Sequence, residues 1–188
     1  YYNEPWFTVN TTYTNCTTVM QYLVDDYQRA RVMPFVYFEG GYENEGADQS
    51  CLRSQAYYPI LMGAVGSFFG NNPIWMFDPG WQTALNSPGA TIMTHFGRLF
   101  RSRAWHRLVP DLAGTVLTGG RGTIGPGYAA AARTDDGATV MVYTPSQRAL
   151  TIDLTRVAGT TARAWWFNPA NGAASSIADY PTTGSQSF

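Results

Sequence analysis

The chain has no lysine. All 12 of its basic residues are arginine, which beside abundant alanine and glycine reflects the codon bias of a GC-rich source and carries no mechanistic content. Charge is scarce: charged residues are 13% of 188 and the formal net charge is −1. No basic field exists to hold nucleic acid or an anionic membrane surface, so both partner classes are excluded. Two cysteines, Cys16 and Cys51, are too few and too widely spaced for a zinc site. They leave one disulfide or two buried thiols. Two histidines, His95 and His106, lie in a helix and a connector and give little support to a metal site or a Ser-His-Asp triad. The most apolar window, "PILMGAVGSFFG", falls short of the roughly 20 residues that cross a bilayer. The first residues lack the charged and apolar blocks of a signal peptide. A soluble mature protein, or a piece of one, is expected.

Aromatic residues are plentiful, at 15% of the chain with 6 Trp and 12 Tyr. Such a supply suits surfaces that stack against flat, partly apolar ligands such as sugar rings, although an aromatic core draws on the same residues. The length allows one domain of moderate size or two small ones.

Periodicity divides the chain. From residue 1 to about 112, short apolar runs alternate with helical stretches. "WFTVNTT" reads as a strand and "TNCTTVMQYLVDDYQRA" as a helix with Val19, Leu23 and Tyr27 on one stripe, capped by Thr14 or Asn15. "PFVYFE" is nearly continuous in apolar character, as a parallel strand covered on both faces requires. "CLRSQAYYPILMGAV" reads as a helix interrupted or bent at Pro59, and "GSFFG" as a third short strand. "SPGATIMTHFGRLFRS" is a helix with Ser87 as cap, Pro88 at the first position, and Ile92, Phe96, Leu99 and Phe100 inward. This order of βα units belongs to a parallel sheet, open or closed into a barrel. Residues 113–188 change to period two. "GYAAAARTDDGATVMVYTP" reads as two strands joined at Asp135, Asp136 and Gly137. "RALTIDLTRV", "ARAWWFNPANG" and a weaker segment near Ser175 to Ala178 continue a small antiparallel array.

In parallel α/β folds, ligands bind at the C-terminal ends of the strands. Glu39 ends "PFVYFE" there, followed by Gly40 and Gly41, which permit a sharp turn or close approach of a ligand. A carboxylate so placed fits glycosidic bond cleavage, in which one carboxylate attacks or stabilises the oxocarbenium-like centre and another protonates the leaving oxygen. It equally fits a strand-end Glu paired to an arginine or capping a loop. Glu43 and Glu45 share the next loop. Their proximity raises one pKa toward that of an acid, or else Glu43 orients a neighbour and Glu45 is solvated. Trp75, Asp78 and Trp81 follow the third strand and open on the same end: a sugar platform with a hydroxyl partner, or aromatics that pack the loop down. Asn71 and Asn72 suit hydroxyl binding or ordinary turn chemistry before Pro73.

The succession "PFVYFEGGYE", "LRSQAYYPILMGAVGSFFGNNPIW", "ALNSPGA", "LFRSRAWHRLVPD", "AARTDDGATVMVYTP" and "ARAWWFNPANG" resembles the apiosidase-like glycoside hydrolases through almost its whole length. The resemblance implies an α/β part, the C-terminal portion of a (β/α)8 TIM-type barrel, joined to a small antiparallel β-sandwich that carries the name of a collagen-binding domain. Such a barrel takes roughly 250 residues, so residues 1–112 correspond to its last three strands, and the N-terminal barrel half must come from a partner chain or a missing segment. By the resemblance, Glu39 ends the seventh strand as the nucleophile, and the acid/base lies on a strand outside this chain. The family's strand end reads Glu-Pro-x-Tyr-Glu. Here Tyr42 and Glu43 match while Gly40 replaces the proline, which loosens the turn.

The expected protein is a secreted, periplasmic or cell-surface glycoside hydrolase, retaining, acting on plant or microbial oligosaccharide or polysaccharide without metal or organic cofactor. Glu39 is its catalytic residue, with Tyr42, Glu43, Asn71, Trp75, Asp78 and Trp81 around the substrate. The rival is a non-catalytic carbohydrate-binding or cell-surface structural module, supported by Trp165 and Trp166. These are adjacent on a strand and therefore face opposite sides, which leaves one free to meet a glycan or to pack against the neighbouring domain.

Overall fold

The computed structural model describes residues 1–188. Two parallel strands, β1 (Asn10–Tyr13) and β2 (Phe35–Glu39), pair from Asn10 opposite Phe35 to Tyr13 opposite Glu39. "WFTVNTT" is thus regular only in its second half. Before it the chain turns back, held by Arg31 donating to the carbonyls of Tyr2 and Glu4 at 2.7 and 2.8 Å. "GSFFG", expected as a third strand, contributes a single parallel bridge from Ser67 to Tyr37. Beyond it the backbone leaves β2 and pairs with the next loop, where the Glu43 N–H donates to the Gly70 carbonyl at 3.0 Å.

The helices follow the sequence pattern closely. In α1 (Val19–Tyr27), Val19, Met20, Leu23 and Val24 are buried. The Asn15 side chain accepts the Thr17 N–H just ahead of this helix rather than capping it. In α2 (Gln49–Leu61), Asp48 accepts the Cys51 N–H at 2.7 Å, and Pro59 sits in the last turn, so the helix ends two residues later instead of bending midway. A short α3 (Trp81–Ala84) precedes α4 (Pro88–Arg101), whose cap is Ser87 accepting from the Ala90 N–H. Cys16 and Cys51 form a disulfide that ties the loop after β1 to the first turn of α2.

These helices cover one face of the sheet. Phe35 and Tyr37 turn inward to an 18-residue core shared with α1 and α2. Tyr13, Phe38 and Phe68 point away, each more than half exposed. The expectation of a strand covered on both faces therefore fails within this chain.

The C-terminal part is entirely antiparallel. One sheet holds β3 (Leu108–Pro110), β5 (Ala130–Thr134) and β6 (Val140–Tyr143), with β5 in the middle. Another holds β4 (Leu117–Gly119), β7 (Thr151–Asp153) and β10 (Ser185–Ser187), with β7 in the middle. A second core of Val116, Leu117, Ala129, Ala131, Leu150, Ile152 and Leu154 lies within this part. A ribbon of β8 (Thr161–Phe167) and β9 (Ala174–Pro181) completes it. The segment near Ser175 to Ala178, which reads as weak, belongs to the longest strand of the chain. Its pairing with β8 overrides its modest propensity. Trp165 and Trp166 are both about half exposed, beside an irregularity in the β8–β9 register between Ala164 and Trp165.

The two parts share a core. Ala130, Ala132 and Tyr143 belong to the same cluster as α2, and the Tyr57 and Tyr143 rings stack with centroids 4.9 Å apart. The Tyr58 hydroxyl donates to the Tyr128 carbonyl at 2.7 Å.

Candidate active site

β1, β2 and the 65–68 segment run in the same direction, so the loops that follow them open on one edge. A cavity of about 200 Å³ lies there, lined by Phe38, Glu39, Gly41, Tyr42, Gln55 and Phe68 among others. Glu39 is half-buried at its rim. Its Oε1 accepts the Tyr42 hydroxyl at 3.0 Å, its Oε2 has no partner within the chain, and no arginine pairs with it. The alternative of a strand-end carboxylate locked in an ion pair is therefore absent. Desolvation first, then the hydrogen bond and charge of Glu39, push the Tyr42 phenol above its ordinary range and keep it a donor.

What shapes the strand end is packing against Gln55. Its Oε1 accepts the Gly41 N–H at 2.6 Å and the Tyr37 hydroxyl at 2.9 Å, and its Nε2 donates to the Gly41 carbonyl at 2.9 Å. The single Tyr37 hydroxyl proton is shared between Gln55 Oε1 and the Thr14 carbonyl, which lies at 2.5 Å. Gly40 and Gly41 do not adopt left-handed backbone. A Cβ on Gly40 would collide with the Tyr37 hydroxyl oxygen and Gln55 Oε1. The turn is not loosened by Gly40, because neighbouring side chains occupy the space a proline or alanine would fill.

Glu43 has a different setting. It is 7% exposed and accepts from Asn71 Nδ2 at 2.6 Å, the Ser87 hydroxyl at 2.6 Å and the Gly89 N–H at 2.8 Å. Its carboxylate stitches the loop after β2 to the N-terminus of α4, where the helix dipole favours negative charge. Asn71, at 3% exposure, is committed to that cluster and does not line the cavity. Trp75 meets Tyr42 edge-on at 6.1 Å, and its Nε1 donates to Glu45 at 2.8 Å. Asp78 and Trp81 stand farther out on the loop and do not line the cavity.

Two features escape the sequence reading. Gln55 sits mid-helix, where only its cross-chain partners reveal its task. Phe77 has left-handed backbone (φ 57°), is 71% exposed and meets Trp81 edge-on at 5.5 Å. For a bulky residue that backbone is uncommon and strained, and it holds an aromatic face outward beside the predicted Trp81. No three His, Cys, Asp or Glu side chains converge on a possible metal position.

A family model described as the apiosidase-like catalytic domain matches residues 1–107. The chain belongs to the apiosidase-like family. A second model, described as the collagen-binding domain of a collagenase, matches residues 110–188. Two solved structures are similar to this apiosidase-like chain. One, described as a glycoside hydrolase, shares 24% identity with a TM-score of 0.78 and covers 90% of this chain and 42% of its own. The other is a family 5 glycoside hydrolase from Bacteroides vulgatus, with 25% identity, a TM-score of 0.78, and coverage of 90% and 40% respectively. The apiosidase-like chain thus spans about two-fifths of each. No curated protein matches it.

Proposed function

We propose that the chain carries the nucleophile half of a retaining glycoside hydrolase active site, with Glu39 as nucleophile. The observation that carries this reading is Glu39 itself. It is a carboxylate at the C-terminal end of a parallel strand, beside a cavity, with one oxygen oriented by Tyr42 and the other free. In the reaction, the free oxygen attacks the anomeric carbon while a carboxylic acid protonates the leaving oxygen. Water then hydrolyses the glycosyl ester. Tyr42 holds Glu39 in one rotamer, and Trp75 and Trp81, with Phe77, supply the aromatic faces that pack on sugar rings.

No second carboxylate lines the cavity, so the acid comes from outside residues 1–188, about 5 Å from Glu39 as a retaining pair requires. The bare sheet face of Tyr13, Phe38 and Phe68, with solved relatives more than twice as long, supports the same conclusion. In this reading, residues 1–112 are the last strands and helices of a (β/α)8 barrel and residues 113–188 a small β-sandwich. The first barrel strands, from another segment or a partner chain, cover the exposed face. The Cys16–Cys51 disulfide supports an oxidising location, secreted, periplasmic or at the cell surface. The substrate class is plant or microbial polysaccharide.

Substituting Glu39→Gln in the complete protein and assaying aryl glycosides and pectic or arabinose-rich polysaccharides tests the assignment. Turnover should fall by at least about 10³-fold. Wild-type turnover removes Glu39 from catalysis. No turnover by the parent protein favours a non-catalytic glycan-binding or surface module, a reading to which the two half-exposed tryptophans of β8 lend support.

A further inference from the structure

A second cleft, of about 240 Å³, lies between α2, the β6–β7 connection and the turn that follows β8. Its polar lining is Arg53, Tyr143, Thr144, Ser146, Gln147 and Asn168. Arg53 is two residues from Gln55 on α2, a rotation of roughly 200° about the helix axis. The two residues therefore serve clefts on opposite sides of one helix.

No acidic residue lines this cleft. Arg53 is half-buried, yet none of the chain's ion pairs involves it. A guanidinium that faces a cleft with no carboxylate beside it is available to an anionic ligand. Its neighbour is the Tyr143 phenol. Burial raises the pKa of that group, and the Arg53 charge acts in the opposite sense. Arg148, also without a carboxylate partner, donates to Ser146 Oγ at 2.6 Å and adds a second positive charge behind the lining.

The remaining groups are neutral. Gln147 is exposed and makes no side-chain hydrogen bond within the chain, while Asn168 uses only its Oδ1, accepting the Ala170 N–H at 2.9 Å. One planar guanidinium fork matches one carboxylate. Amide and hydroxyl groups beside it match the neighbouring hydroxyls of a sugar.

We propose that this cleft binds an acidic sugar unit, its carboxylate on Arg53 and its hydroxyls on Gln147 and Asn168. The site deepens the hydrolase reading, on which its biological purpose rests: it grips an acidic polysaccharide away from the bond being cleaved.

The test is calorimetric titration of digalacturonate into the full-length protein carrying Glu39→Gln, with neutral galactobiose and inorganic sulfate as parallel probes. The expected result is saturable digalacturonate binding that weakens at least tenfold with Arg53→Gln, weakens less with Gln147→Ala, and far exceeds binding of galactobiose. Sulfate binding as tightly as digalacturonate would overturn the sugar assignment in favour of a simple anion site. Unchanged digalacturonate affinity in a folded Arg53→Gln protein overturns the site. If that variant fails to fold, unchanged affinity with the surface variant Gln147→Ala overturns it instead. Aryl glycoside turnover of Arg53→Gln should match the parent. Loss of the binding site and loss of the Glu39 assignment are thus read from separate assays.

Discussion

Glu39 and Glu43 lie four residues apart and meet opposite fates, for reasons visible in their hydrogen bonds. Glu43 has three donors and almost no solvent, so its task is structural. Glu39 has one donor and a free oxygen. Glu43→Ala would leave the Asn71 amide, the Ser87 hydroxyl and the Gly89 N–H without their acceptor. A loss of about 3 kcal/mol in denaturant unfolding is expected. Tyr42→Phe, by contrast, should leave unfolding nearly unchanged and lower kcat by about tenfold with KM within twofold, because it removes only the group that orients Glu39. Equal effects of the two substitutions on stability would contradict this division. The position of Glu39 at the end of a strand is legible in sequence because an acidic residue closes an apolar run there; that no arginine pairs with it is seen only in the structure. The separation of Glu43 from the cavity is not legible in sequence, since its partners Ser87 and Gly89 lie more than forty residues away.

At the scale of elements, the loop after β2 owes its path to contacts rather than to glycine flexibility. Gly40→Ala should cost about 3 kcal/mol in chemical denaturation, because the new methyl meets Tyr37 and Gln55 in a packed site and the Thr14 carbonyl lies 2.8 Å from it. Gly46→Ala is the control. That residue has open space around its Cβ position and a left-handed backbone (φ 101°), so its cost should be about 1 kcal/mol. The reverse ranking would show that the turn, and not the packing, needs the glycine. The helices were readable because their apolar residues and the Ser87 cap are local signals, whereas the Asp48 cap of α2 appears only in the structure. The fate of "GSFFG" and the full length of β9 were not readable, because the pairing partner decides them: "GSFFG" finds Glu43 where β2 ends, and β9, legible only near Ser175 to Ala178, extends along β8.

Across the whole molecule, the change of period near residue 112 marks a change of architecture but not a clean division, because one core spans both parts while a second lies within the C-terminal part alone. β3 already pairs with β5 before that point, and Tyr57, Tyr58 and Tyr143 join the halves. Burial raises the pKa of all three phenols and of Tyr37 above the ordinary value of 10.0. A group whose folded pKa is raised contributes stability that is complete below its unfolded pKa and is lost as pH rises beyond it. The melting temperature should therefore hold to about pH 9.5 and fall steadily above about pH 10, as the unfolded phenols ionise first. A flat profile to pH 11.5 would show that these phenols are not held protonated. The sequence could not announce this seam, because period-two and period-3.6 segments look separate until their inward faces are seen to meet.

The assignment of the nucleophile rests on a covalent event that one experiment detects. The complete protein, incubated with an activated 2-deoxy-2-fluoro glycoside of a sugar it turns over, should accumulate a glycosyl ester that mass spectrometry of the digested protein locates on Glu39. A stable label on any other carboxylate, or full inactivation with Glu39 unmodified, would contradict it.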